Sequence, residues 1–177
     1  NFSDATPEIR FNITDNLANL INYTFYVENS FNKAGNASNG IIRFDNLSSL
    51  TDGFRRVILE ATDLAGNKAN STFINITIDT APPVITISNP VEGHPYGYLI
   101  SILADVADSG VGISNVRYSI FNDSYIYYKN GTLNASTGFD DLWNSTIDID
   151  ESVEFMIVNL SVTANDTLNN TATAVVR

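Results

Sequence analysis

Cysteine is absent from these 177 residues, so no disulfide framework braces the fold and packing alone must hold it. Basic residues are scarce, nine Lys and Arg against twenty Asp and Glu, a net charge of −11. Such a chain cannot displace the counterions of a phosphate backbone, which excludes nucleic acid as a partner. It has no attraction for an anionic membrane surface either. Histidine occurs once. His94, in the turn EGHPYG, has no partner with which to build a triad or a histidine metal site. No catalytic constellation is found, and the chain is read as a non-enzyme. No run approaches the ~18 apolar residues of a membrane-spanning helix. Residue 1 is Asn and not Met, and the chain is expected to be a mature product or a piece of something longer.

Against these absences stand 44% hydrophobic residues, enough for real cores, and an unusual polar set of 23 Asn, 16 Ser and 16 Thr. Alternation of period two dominates, and no segment holds a helical period. Strands are predicted at Phe11 to Thr14, through Tyr23, Phe25 and Val27, at Ile41 to Phe44, through Val57, Leu59 and Ala61, and at Ile74, Ile76 and Ile78. A loop is expected from Glu28 to Gly40. The second half repeats the pattern at Val84 to Ile87, at Ile100 to Val106, through Val116, Tyr118 and Ile120, through Val158 to Ala164, and at Thr171 to Val176. An aromatic edge at Tyr125 to Lys129 and a loop from Asn130 to Asn144 interrupt it.

Short strands between turn signals mean antiparallel sandwiches. Two modules are expected, 1–79 and 80–177, joined at Asp79-Thr80-Ala81-Pro82-Pro83, where the prolines end the ladder and stiffen the join. The heptad ATDLAGN (Ala61 to Asn67) has a second copy, ANDTLNN (Ala164 to Asn170). With the alternating strand before it, the last strand after it and the D-T-x-P-P junction, this pattern resembles the Ig-like and fibronectin-III-like repeats of bacterial and archaeal cell-surface proteins. The second copy departs from it, with Asn169 where those repeats usually carry glycine. The resemblance implies an all-β fold of two tandem sandwiches in a spacer or adhesive surface protein. Module 1 is shorter and is expected to lack one strand. Either it is merely compact, or a neighbouring subunit adds a strand at its open edge. The end of the chain joined to its start would recreate the junction, which points to a tandem array or a head-to-tail polymer of this chain with itself.

The most informative motif is N-x-[S/T], the N-glycosylation acceptor. It occurs at Asn1, Asn12, Asn22, Asn36, Asn46, Asn70, Asn75, Asn122, Asn130, Asn134, Asn144, Asn159, Asn165 and Asn169, 14 of 23 asparagines. Composition alone would give about four. On a strand the Asn and the Ser or Thr share one face. Asn-rich outer faces generate such triplets by accident as well, but the excess favours real, multiple glycosylation and an exported, extracellular chain. The density points to an archaeon.

Two weaker constellations remain. Asp52, Asp79, Asp105, Asp108 and Asp166 are expected around the join, where carboxylates could hold a structural Ca²⁺; ordinary turn capping explains them equally. Asp140, Asp141, Asp148, Asp150, Glu151 and Glu154 read as a solvated acidic face. Tyr96, Tyr98, Tyr125, Tyr127, Tyr128 and Trp143 form a candidate surface for a sugar or a protein, with core and edge packing as the alternative. No cofactor is required by any of these readings. The function expected is a glycosylated structural unit of a surface filament, sheath, S-layer or stalk. The alternative is an adhesin segment that binds through the aromatic surface of module 2.

Overall fold

The computed structural model describes residues 1–122, 127–137, 141–148 and 157–177, with only the backbone considered at 127 and 128. Of the residues singled out above, Tyr125, Asp140, Asp150, Glu151, Glu154 and the side chains of Tyr127 and Tyr128 lie outside this description. The described chain is all-β and antiparallel, apart from one parallel bridge, and divides into two compact units, Asn1–Thr80 and Ala81–Arg177.

Unit 1 contains β1 (Glu8–Phe11), β2 (Leu20–Val27), β3 (Ser30–Ser38), β4 (Arg43–Asn46), β5 (Gly53–Thr62), β6 (Lys68–Asn70) and β7 (Ile74–Ile78). One sheet runs β3-β2-β5, with β6 and β7 both on the far side of β5; β1 and β4 form the other. Inward residues of alternating strands fill the space between the sheets. Ile9, Ile13 and Leu47 meet Ile21, Tyr23, Phe25, Val57, Ile76 and Ile78. Burying such side chains stabilises by about 1.5–3 kcal/mol each before entropy is counted. Phe2 bridges Ile78 in parallel. Among the described residues β1 pairs only with β4, and β4 only with β1, so this sheet keeps two open edges.

Unit 2 contains β8 (Val84–Asn89), β9 (Leu99–Ala107), β10 (Ile113–Phe121), β11 (Tyr127–Thr132), β12 (Asn134–Ala135), β13 (Leu142–Asp148), β14 (Asn159–Asp166) and β15 (Thr171–Val176). Its sheets run β11-β10-β14-β15 and β12-β13-β9-β8. Ile102, Ala104 and Val106 from β9 pack on Val116, Val162 and Ala164, all with no exposed surface. The two units share their four-stranded plan on one side. The opposite sheet has four strands in unit 2 and two in unit 1.

Three sequence expectations need correction. The segment Glu28 to Gly40 is not a loop: after a two-residue turn it is β3. Glu28 and Asn29 both have positive φ (50° and 64°), the requirement of a type I′ hairpin. Within it Gly35 lies directly opposite Tyr23. The Tyr23 ring lies over its backbone, so close that a Cβ would collide with the phenol. Gly131 repeats the arrangement opposite Tyr118, an aromatic residue covering a strand glycine. Second, β1 ends at Phe11, where a strand to Thr14 was expected. Beyond it Asp15 Oδ1 accepts the N–H groups of Leu17 (2.8 Å) and Ala18 (2.6 Å). Asn39 Nδ2 donates to the carbonyls of Asp15 (2.6 Å) and Ala18 (2.8 Å), so side chains take groups that a ladder would use. Third, Trp143 lies on β13 and packs against the core of unit 2, and β11 and β12 also fall in or beside the expected loop.

Candidate functional site

The asparagines fall into two populations. Five of those outside the acceptor motif tie turns, loops or a strand end. Asn39 holds the segment after β1. Asn32 Oδ1 accepts from the Ser48 N–H (2.9 Å), and Asn89 Nδ2 donates to the carbonyl of Ser101. Asn67 and Asn170 close the two heptad turns onto Asp63 and Asp166. The fourteen in the motif are mostly exposed. Ten are exposed: Asn1, Asn12, Asn22, Asn36, Asn46, Asn70, Asn75, Asn130, Asn134 and Asn169. The other four, Asn122, Asn144, Asn159 and Asn165, are half-buried, and none is buried. Asn46 donates to the Thr6 carbonyl (2.8 Å), Asn144 to Ser136 Oγ, and Asn165 to Thr171 Oγ1 (2.7 Å). Register places acceptors side by side. Asn22 is opposite Asn36, and Asn134 is opposite Asn144.

The acidic residues are less unified. Asp52 accepts from the N–H (3.1 Å) and hydroxyl (3.0 Å) of Thr80, and Asp105 is exposed on β9. Asp79 is buried, and its N–H donates to the Phe2 carbonyl (3.0 Å). Within unit 2, carboxylate oxygens of Asp108 and Asp166 lie within 4.8 Å of one another. Asp108 Oδ2 caps the N–H groups of Gly110 (3.2 Å) and Gly112 (2.6 Å), while Oδ1 is buried without a hydrogen bond. Asp166, fully buried, accepts from the N–H of Leu168 (2.7 Å). Its counterpart Asp63 is half-buried; hydrogen bonds from the Asn67 side chain and backbone hold its carboxyl below the usual range. Turn capping therefore accounts for Asp63, Asp166 and one oxygen of Asp108, and the other Asp108 oxygen is left without a partner.

Of the aromatic candidates, Tyr96 and Tyr98 are partly exposed in the 90–98 segment. They line a cleft of about 800 Å³ in unit 2, floored by Ile102, Ile120 and Leu160. Trp143 is not among its lining residues. His94 lies on the same rim, exposed. Sequence reasoning missed a second aromatic surface. On the outward face of unit 1, Phe31 (68% exposed), Phe54 (55%) and Phe73 (52%) accompany Tyr26 and Ile58. The signal was there in Phe54 and Phe73 beside strand residues, but their partners across the sheet depend on register.

Unit 1 also holds a polar cluster between its sheets. Asp45 accepts from the Tyr23 hydroxyl and from Lys33 Nζ (2.6 Å). Arg43 Nε donates to the same tyrosine oxygen (3.1 Å). Burial would raise the Asp45 pKa, but the bonds from Lys33 and Tyr23 outweigh it and leave it lowered. Burial and the Asp45 carboxylate raise that of Tyr23.

Two layers of antiparallel strands with this order define an Ig-like β-sandwich, present here twice in tandem. Residues 2–80, essentially the whole of unit 1, match the family described as bacterial Ig-like domain. No curated protein sequence matches the chain. Among solved structures, the fibronectin(III)-like modules of Clostridium thermocellum CbhA align at 14% identity and a TM-score of 0.45, over 97% of this chain and 84% of that one. A tetra-tandem repeat in the extending region of a large adhesion protein aligns at 15% identity and a TM-score of 0.41, over 98% of this chain and 45% of that one. Ig-like modules are as a rule structural, and function resides in what is placed on them.

Proposed function

We propose that the chain is a structural, heavily N-glycosylated extracellular unit of a prokaryotic surface filament, sheath, S-layer or stalk, and that the source is an archaeon. The division of the asparagines carries this reading. Ten of the fourteen acceptor asparagines are exposed and none is buried, while the asparagines that close the two heptad turns, Asn67 and Asn170, lack the motif. Sugars there would shield sheet faces from proteases and from stray pairing. The partner proposed is the chain itself, as a homopolymer or as successive repeats of one polypeptide. The open edges of the β1–β4 sheet support assembly by strand addition. Immunogold labelling of intact cells tests the placement. Label on an external layer or fibre is expected; label confined to the cytosol contradicts it.

A structural Ca²⁺ is proposed at Asp108 and Asp166, supported by the unpartnered Asp108 oxygen; carboxylates and carbonyls are its preferred ligands. Calcium should raise the melting temperature of the full chain and Asp108→Asn should abolish the rise. Identical melting with calcium and with chelator defeats the idea.

The second reading, an adhesin, is favoured by the Tyr96 and Tyr98 cleft. It predicts that oligosaccharide or peptide binding is lost in Tyr98→Ala, and it fails if a broad screen finds no ligand for the full chain.

A further inference from the structure

We infer that Asn75 carries a glycan whose first sugar lies on the phenylalanine patch of unit 1, so that this sheet face is completed by its own modification. The inference rests on the glycosylation reading above. The register of β5 and β7 places Asn75 opposite Arg56 and Thr77 opposite Phe54. The diagonal neighbours of Asn75 on β5 are therefore Phe54 and Ile58, within about 7–8 Å. Phe73 precedes Asn75 by two residues, and the Arg56 guanidinium lies 4.7 Å from its ring centroid. Since Arg56 is opposite Asn75, Phe73 shares the outward face. The acceptor thus stands in a ring of two phenylalanines, an isoleucine and an arginine.

Both phenylalanines are more than half exposed, and the apolar row continues through Ile58 to Tyr26 and Phe31. A contiguous exposed patch of this kind marks a covered or interacting surface. One face of a pyranose is a row of C–H groups, slightly positive and apolar, which complements the negative face of a phenyl ring. Its hydroxyls, at the rim, can meet Arg56. The tether makes the contact intramolecular and so favours it at any concentration. A second protein chain fits less well, because three further acceptors, Asn22, Asn36 and Asn70, share this face and their sugars would stand in its way.

The modification joins Asn75 Nδ2 to the anomeric carbon of a sugar-diphosphate donor. The anomeric C–O bond breaks, the diphosphate leaves with the bonding pair, and the amide gives up one proton.

The test compares the full chain from an N-glycosylating host with the chain from a host that lacks the pathway. Glycopeptide mass spectrometry should find sugar on Asn75. NMR should show contacts between protons of that sugar and the rings of Phe73 or Phe54, with the sugar resonances moved upfield. Asn75→Gln should lower the melting temperature of the glycosylated chain by about 4 °C, and Phe73→Ser or Phe54→Ser should shrink that difference. A sugar on Asn75 with no ring contact, and melting indifferent to both phenylalanines, overturns the inference and leaves the glycosylation reading standing. So does a chain glycosylated elsewhere but bare at Asn75. A chain bare at every acceptor overturns both.

Discussion

Asn170 closes the turn after β14 onto Asp166 with two hydrogen bonds, backbone N–H to Oδ1 (3.0 Å) and Nδ2 to Oδ2 (2.7 Å). Asn67 and Asp63 make the same pair after β5, at 2.8 and 2.7 Å. The repeated heptad is thus a turn motif, and its fourth variable position explains the departure at Asn169. That residue has φ 68°, and its counterpart Gly66 has φ 89°. Asparagine is the residue after glycine that best tolerates this region.

Removing Asn170 should leave the buried Asp166 carboxylate short of donors. Asn170→Ala is expected to destabilise unit 2 by about 1–3 kcal/mol, read from denaturant unfolding. Asn169→Gly should leave stability unchanged or raise it by up to ~1 kcal/mol. A clear loss in that variant would mean that the Asn169 side chain has a role beyond its backbone angle.

The tyrosine–glycine pairs make a second prediction. A Cβ on Gly131 would sit 2.7 Å from the Tyr118 hydroxyl oxygen, and one on Gly35 closer still to that of Tyr23. Gly131→Ala and Gly35→Ala should each cost about 1–3 kcal/mol through overpacking. Combining Gly131→Ala with Tyr118→Leu should recover part of the loss; additive losses would argue against the contact.

Stability should depend on pH at both ends through the Asp45 cluster. The folded pKa of Asp45 is lowered, so its contribution is present above the unfolded value of about 3.9 and is lost as pH falls through the folded value. The folded pKa of Tyr23 is raised, so its contribution is present below about 10 and is lost as pH rises through the folded value. Unfolding of Asp45→Asn and Tyr23→Phe chains across pH should show the acid and alkaline slopes flattened, respectively.

The I′ turn is testable by one substitution. Glu28 is anchored, its Oε1 accepting from the Arg56 N–H at 2.6 Å, so only its neighbour should be changed. Asn29→Gly should stabilise the β2–β3 hairpin by up to ~1 kcal/mol, seen as slower amide exchange along β3. Faster exchange would contradict the turn assignment.

Much of the core was legible in the chain. Ile100 to Val106, Val116 to Ile120 and Leu160 to Ala164 alternate cleanly because each strand has one face in the core and one in water. β3 was illegible because its inward positions are Lys33, Gly35 and Ala37. Lys33 answers Asp45 and Gly35 answers Tyr23, and both reasons lie on other strands. The acceptor motif could be read directly, but its meaning depends on exposure. That Asn75 sits beside Phe54 and Ile58 follows from a register no local pattern encodes. The aspartates divide: Asp108 and Asp166 meet in unit 2, Asp52 is bound to Thr80, and Asp105 is exposed on β9, a division set by the fold and not by sequence spacing.

Glycopeptide mass spectrometry of the native protein is the most direct test of the glycosylated-unit reading. Sugar is predicted on the exposed acceptors, with Asn12, Asn22 or Asn36, and Asn75 among those modified. Unmodified asparagine at all fourteen positions would contradict it and leave a bare tandem of Ig-like sandwiches.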